Sequence, residues 1–192
     1  MKSDYDIYPW ILKQEWMPLP ETVFWENILT SEIDWQRPIV KVFGREYLTP
    51  RRTAFVSENN ISYSYSGTVH HGEGIPEWFL PLLEKVNLEV GIDFNGCLLN
   101  LYSNGKESMG WHSDNEPEID AEKPIVSLSF GASRDFLFKN RFDGSIQSIY
   151  LSNGDLLIMY PGCQNKWLHS IPKRRKINTS RINLTFRCYL NN

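Results

Sequence analysis

Two kinds of hydrophobic spacing divide the chain. Residues 21–33 (ETVFWENILTSEI) place apolar side chains at helical intervals, with Phe24, Trp25, Ile28 and Leu29 available for one face and Pro20 just before the start. Residues 76–89 predict a second helix that also opens on proline, with Pro81 in its early turns working against it. From residue 94 the pattern changes to short apolar runs separated by Asn95-Gly96, Asn104-Gly105, Asp143-Gly144 and Asn153-Gly154. The runs predict strands over 97–102, 124–130, 135–139, 145–151, 155–160, 166–171 and 181–189, with a longer polar stretch between 103 and 123. Residues 37–68 are strand-like as well, most clearly at 39–43 and 61–65, and are expected to form one or two hairpins outside the main barrel. Helices followed by many short strands predict a β-rich α+β domain built as a sandwich or barrel.

Composition bounds this picture without changing it. A chain of 192 residues with 41% hydrophobic positions suits one globular domain. It contains no apolar run long enough to span a bilayer, and its start lacks the apolar region and cleavage site of a signal peptide, so an intracellular location is expected. Cys97, Cys163 and Cys188 are odd in number and lack CxxC spacing, as expected of buried thiols in a reducing compartment. A net charge of −3 argues against a protein that grips nucleic acid by its overall charge. It leaves room for a local basic patch at Lys173-Arg174-Arg175-Lys176.

Candidate chemistry sits on the predicted strands. His112 and Asp114 are two apart, so on an extended segment both point the same way, and His169 follows on a separate strand. Two imidazoles and one carboxylate are the donor set of a non-haem iron site with open positions. In Arg181 to Arg187, alternation is strict: Ile182, Leu184 and Phe186 form an apolar face, and Arg181, Asn183, Thr185 and Arg187 form the opposite one. Guanidinium groups turned inward need anionic partners, and a dicarboxylate provides them through bidentate pairing. An outer sheet face with solvated arginines is the plain alternative. Asn100 and Tyr102 point together on 97–102 and offer an amide and a phenol to the same ligand.

Taken in order, Asn-x-Tyr, His-x-Asp, His and Arg-x-Asn-x-Thr-x-Arg closely resemble the AlkB family of oxidative demethylases. Val42-Phe43-Gly44, Pro50-Arg51, Tyr63-Ser64-Tyr65-Ser66-Gly67 and Ser127 to Phe136 carry the likeness further, from about residue 35 to the C-terminus. Within the family, the chain is most similar to the branch acting on double-stranded DNA. The resemblance implies a double-stranded β-helix, or jelly roll, over about 94–190, with flanking N-terminal helices and a nucleotide-recognition lid over about 35–75, all in one domain. It implies Fe(II) held by His112, Asp114 and His169, with 2-oxoglutarate and O2 as co-substrates. Asn100, Tyr102, Arg181, Asn183, Thr185 and Arg187 would line the 2-oxoglutarate site, Arg181 on the distal carboxylate and Arg187 near Asp114 or the proximal one.

On the substrate side the family extrudes a damaged base and stacks it against the first iron-binding histidine. Tyr65 matches the stacking aromatic, and Tyr63 and Glu116 match positions at the base edge. Phe43 matches a finger that fills the gap left by a flipped base, although a core strand residue is its plain alternative. Arg51 and Arg134 fall in matching segments, and Lys173, Arg174, Arg175 and Lys176 match a loop that contacts backbone phosphates. Asn115 departs from the pattern, standing where a second acidic residue often follows the iron-binding Asp. The implied activity is removal of N-methyl lesions (1-methyladenine, 3-methylcytosine) from DNA by a monomer, with release of formaldehyde and succinate. It would act in the cytoplasm of a bacterium or the nucleus of a eukaryote. The same chemistry on RNA or protein, or a non-catalytic nucleic-acid-binding module, are the alternative readings.

Overall fold

The structure, a computed structural model, describes residues 8–42, 45–65 and 68–190. In chain order the elements are β1 (Trp10–Lys13), α1 (Leu19–Glu32), β2 (Ile39–Val42), β3 (Arg45–Leu48), β4 (Arg52–Ser57), β5 (Ser62–Tyr65) and β6 (Thr68–His71). A 3-10 turn (Glu77–Phe79) leads into α2 (Leu80–Val90). The remainder is β7 (Gly96–Tyr102), β8 (Met109–His112), β9 (Ile125–Gly131), β10 (Arg134–Asn140), β11 (Ile146–Leu151), β12 (Leu156–Met159), α3 (Cys163–Lys166), β13 (Trp167–Ile171) and β14 (Arg181–Arg187).

The strands form a six-stranded sheet, β1-β12-β9-β14-β7-β4, and a four-stranded sheet, β11-β10-β13-β8, both antiparallel throughout. This is the expected jelly roll. Two apolar clusters hold it together. One packs Trp25 and Leu29 of α1 and Leu82, Leu83 and Val86 of α2 against Leu99, Leu128, Leu156, Ile182, Leu184 and Phe186 on the back of the larger sheet. The other fills the space between the sheets with Trp10, Leu98, Phe136, Phe138, Leu157, Met159 and Trp167. Because strand side chains alternate, the residues between the helix-facing ones must point inward, and β14 is accordingly buried on both faces.

Both expected helices form, with adjustments. In α1, Trp25 and Leu29 enter the core and Ile28 packs against it, but Phe24 turns out to solvent at 56% exposure. The helix buries Thr22 instead, one turn before Trp25. Pro81 breaks nothing. The 3-10 turn absorbs the first residues of the predicted segment, and α2 then starts with Pro81 in its first turn, where a missing N–H costs no helical bond. Gly91, in the left-handed conformation at φ 72°, closes the helix by donating its N–H to the Asn87 carbonyl at 2.7 Å.

The structure corrects one expectation and adds two strands that the spacing does not predict. Residues 37–68 do not lie wholly outside the barrel. β2–β3 and β5–β6 are the expected hairpins, but β4 between them is the edge strand of the larger sheet, paired with β7 from Arg52↔Leu101 to Ser57↔Gly96. The N-terminal segment, where the spacing predicts no element, contributes β1 to the other edge, where Trp10 stacks on Phe138 at 3.7 Å. Its run WILK has no alternation to reveal it. The polar stretch 103–123 contains β8, which pairs with β13 through His112↔His169.

Candidate active site

The inward faces of β7, β8, β13 and β14 converge between the sheets. Arg51, Asn100, Tyr102, His112, Asp114, His169, Arg181, Asn183, Thr185 and Arg187 all line one cavity there. Sequence reasoning missed its apolar wall, which includes Leu98, Met109, Phe136, Met159 and Ile171. Phe136 stacks on the His169 ring at 5.2 Å, and only its inward register on β10 hinted at this place.

His112, Asp114 and His169 present one ligand atom each, all within 4.8 Å of one another. Asp114 Oδ1 lies 3.7 Å from His112 Nε2 and 3.9 Å from His169 Nε2. His112 Nδ1 is 2.9 Å from the Gly110 carbonyl; as the donor there, it leaves Nε2 unprotonated and facing the centre. Asp114 Oδ2 is ion-paired with Arg187 Nη2 at 2.7 Å, both side chains being buried. Oδ1 is buried without a hydrogen-bond partner. An unpaired carboxylate oxygen facing two imidazole nitrogens in a dry pocket is what a divalent cation satisfies.

Titration behaviour agrees with that donor set. Burial pushes the Asp114 carboxyl up, but Arg187, His169 and His112 together hold it well below the ordinary carboxylate range. Burial, then the nearby His112 ring, lowers His169 from 6.5 to about 3, with Asp114 opposing. His112 is lowered too, chiefly by burial. The centre therefore offers a carboxylate and two neutral imidazoles at neutral pH, the protonation states in which each can ligate a metal. Burial works against the Arg187 cation, but Asp114, Tyr189 and Tyr63 outweigh it and keep the guanidinium charged.

Arg181 is the second anomaly. At 1% exposure it donates from Nη2 to Ser129 Oγ (2.9 Å) and Asn183 Oδ1 (2.6 Å), both neutral. Its Nε has no partner, and none of the ion pairs found among the described residues involves it. Burial lowers its pKa to about 10, with Tyr102 opposing and Arg134 adding to the drop. Arg134 and Arg181 both lie over the Tyr102 ring, each guanidinium carbon 5.6 Å from its centroid. A charged, buried guanidinium whose hydrogen-bond partners are neutral fits a carboxylate-bearing ligand.

The expected substrate residues separate into groups. Tyr63, 0% exposed, donates its hydroxyl to Glu116 Oε1 at 3.1 Å and lies beneath the Arg187 guanidinium. Burial and then the Asp114 charge raise the Glu116 carboxyl. Arg51 is drawn into the cavity, its Nε donating to Asn100 Oδ1 at 2.5 Å. Arg134, at 1% exposure, is built into the wall behind Tyr102, donating to the carbonyls of Glu107 (2.9 Å) and Pro172 (2.6 Å), so it offers no surface to a nucleic acid. Lys173, Arg174, Arg175 and Lys176 are all exposed on the loop from β13 to β14. Arg174 pairs with Asp135 there, and the Arg174 N–H donates to the Gly105 carbonyl at 2.6 Å. Phe43 lies outside the described residues, as does the side chain of Tyr65.

A family model described as the 2OG-Fe(II) oxygenase superfamily matches residues 10–187. The chain belongs to that superfamily. Iron(II), 2-oxoglutarate and oxygen are the cofactor and co-substrates of such an oxygenase, and the triad and Arg181 are the features of this chain that suit them. The AlkB likeness is also borne out. The DNA oxidative demethylase ALKBH2 of Arabidopsis thaliana is 33% identical over 208 residues, covering 92% of this chain and 65% of the relative. Human ALKBH2 is 34% identical, covering 77% and 60%. The human alpha-ketoglutarate-dependent dioxygenase alkB homolog 3 is 37% identical, covering 83% and 58%. The oxygenase thus spans about three fifths of the length of these curated relatives. The solved structure of OsALKBH1 shares its fold with a TM-score of 0.64 at 17% identity, over 94% of this chain and 98% of that one.

Proposed function

We propose that this oxygenase is an oxidative demethylase of N-methylated bases in DNA, with 1-methyladenine and 3-methylcytosine as substrates. The observation that carries the reading is the pair of buried Tyr63 and half-buried Glu116 beside Asp114 and Arg187, a polar wall next to the metal ligands suited to a base edge. The relatives named DNA oxidative demethylase support the substrate class.

In this reading His112, Asp114 and His169 hold the metal and Arg187 keeps the Asp114 carboxylate ionised and oriented. Arg181 seats the distal carboxylate of the co-substrate, with Asn100, Tyr102, Asn183 and Thr185 around it. Bound iron, with 2-oxoglutarate and oxygen, supplies the oxidising power: the co-substrate is decarboxylated to succinate and the N-methyl group is hydroxylated, after which the adduct loses formaldehyde. The protein's part is position and dryness. Phe136, Met159 and Leu98 exclude water, and the Phe136 ring fixes the plane of His169. Glu116, its carboxyl pKa raised by burial, and the Tyr63 hydroxyl present hydrogen-bonding groups to a base edge. Phe43 and Tyr65 take the finger and stacking positions, and the Lys173–Lys176 loop meets backbone phosphates. Residues about 35–75 act as the recognition lid and about 94–190 as the core of one domain.

The partner is alkylated DNA and the acting species a monomer. No described helix is long and apolar enough to cross a membrane. The proposed role places the protein with the nucleic acid, in bacterial cytoplasm or a eukaryotic nucleus. The test is anaerobically reconstituted enzyme on methylated single- and double-stranded DNA and RNA, with loss of the methyl group followed by mass. Demethylation of DNA is expected. Intact decarboxylation of 2-oxoglutarate with no turnover of any methylated strand would overturn the repair reading and leave the oxygenase.

A further inference from the structure

Asp114 is the metal ligand with the least backbone support. β8 ends at His112, so Asp114 stands in the irregular segment beyond the sheet. Its neighbours Ser113 and Asn115 bond to one another at 3.0 Å, and Ser113 Oγ also accepts from the exposed Arg141 Nη2 at 2.7 Å. Yet its carboxylate must hold a fixed distance from His169, on another strand. Arg187 fixes one oxygen of the carboxylate. Something must also fix the main chain from which that carboxylate hangs.

The geometry points to Gln164 as that positioning residue. The Asp114 N–H donates to Gln164 Oε1 at 3.0 Å, replacing the ladder bond the strand would have provided. The amide is oriented from its other end, because Nε2 donates to Met159 Sδ at 3.5 Å. Gln164 sits on α3, the single turn that runs directly into β13, so the segment carrying His169 also grips the residue of the carboxylate ligand. The spacing between two of the three ligands is therefore set by one side-chain amide. Gln164 and Asp114 also border a second cleft, with Asp120, Lys123, Tyr160 and Asn165, so without Gln164 the Asp114 backbone would open towards that cleft. Partners of this kind, one bond behind a ligand, change metal affinity by about 10–100-fold when removed.

The inference rests on His112, Asp114 and His169 being the metal site, and the experiment separates the two. Apo protein is titrated with Mn(II), free ion being followed by electron paramagnetic resonance, and exchange of the Asp114 amide proton is measured by NMR without metal. Gln164→Met keeps the side-chain length but removes the acceptor, and Gln164→Glu keeps the acceptor. Gln164→Met should lose protection of the Asp114 amide and bind Mn(II) roughly 10-fold more weakly, while Gln164→Glu keeps the protection and binds within about threefold of the parent. If apo Gln164→Met melts early, Gln164→Asn, one methylene short of contact, carries the same comparison. Loss of amide protection with undiminished Mn(II) affinity overturns the positioning role, as does a Gln164→Glu variant that is protected but binds as weakly as Gln164→Met. A parent protein that binds no Mn(II) overturns the metal site itself.

Discussion

Replacing Arg181 with Met should have opposite effects on the empty protein and on its complex. In the apo protein the guanidinium is buried among neutral groups, its pKa depressed to about 10. Removing it sacrifices two hydrogen bonds, to Ser129 and Asn183, each worth about 1.5 kcal/mol. It also removes an unpaired buried cation, whose desolvation costs several kcal/mol. Asn183 Oδ1 keeps the Ser127 hydroxyl as a donor at 2.8 Å, so of the two acceptors only the Ser129 hydroxyl loses its partner. The apo variant should therefore melt no lower than the parent. The complex should behave otherwise. A pair of charge-assisted bonds to a carboxylate contributes about 3 kcal/mol, so 2-oxoglutarate affinity falls roughly 100-fold. At a ligand concentration one hundred times the parental Kd, with Mn(II) present, binding stabilises the parent by about 2.7 kcal/mol and the variant by only about 0.4 kcal/mol. For a chain of this size that is a thermal shift of roughly 5–10 °C collapsing to about 1 °C. Differential scanning fluorimetry with and without 2-oxoglutarate reads both numbers. A variant that keeps the full shift, or whose apo form melts several degrees lower, would refute the view that Arg181 is a cation waiting for a carboxylate.

Acid should weaken the apo fold through His169, whose folded pKa of about 3 lies below its ordinary 6.5. The unfolded chain takes up the proton first, so stability is complete above pH 6.5 and falls by about 1.4 kcal/mol per unit as pH drops towards the folded value. Urea melts at pH 7 and pH 5 should show this, with a flatter dependence for His169→Asn. Tyr63→Phe removes the donor to Glu116 and should raise KM for methylated DNA by on the order of tenfold, from about 1.4 kcal/mol of lost hydrogen bonding, while strand-independent decarboxylation of 2-oxoglutarate is unchanged. A proportional loss of both activities would place Tyr63 in the scaffold instead. Leu184→Ala, at a fully buried position of β14, should cost about 2–5 kcal/mol of unfolding free energy by urea denaturation.

How far the molecule is legible in its sequence depends on how local each signal is. The strict alternation of Arg181 to Arg187 announced both a core face and an inward polar face, and both are there. His112, Asp114 and His169 meet as expected because His112 and His169 are directly paired across β8 and β13. β1 was hidden because four residues at a sheet edge carry no periodicity, and β4 because nothing in a strand says which neighbour it pairs with. Arg134 falls in a segment that matches the family and is expected on the substrate side. Its burial depends on carbonyls of Glu107 and Pro172, contacts across long sequence separations that only the fold supplies. Gln164 was illegible for the same reason: an amide with no motif around it becomes informative only when the Asp114 N–H lies opposite.

The placement of β4 has a consequence for how such a protein can change over time. Its six residues are locked to β7, the strand that carries Asn100 and Tyr102, and a hairpin hangs from each side. The two hairpins are not equivalent, because β5 carries Tyr63, which bonds to Glu116 and lies beneath Arg187, the partner of Asp114. The β2–β3 hairpin is thus a replaceable cassette on a fixed post, while β5–β6 is part of the site it covers. Grafting a foreign β2–β3 hairpin should leave the oxidising centre as it is, whereas exchanging β5–β6 removes a contact of Arg187 with it.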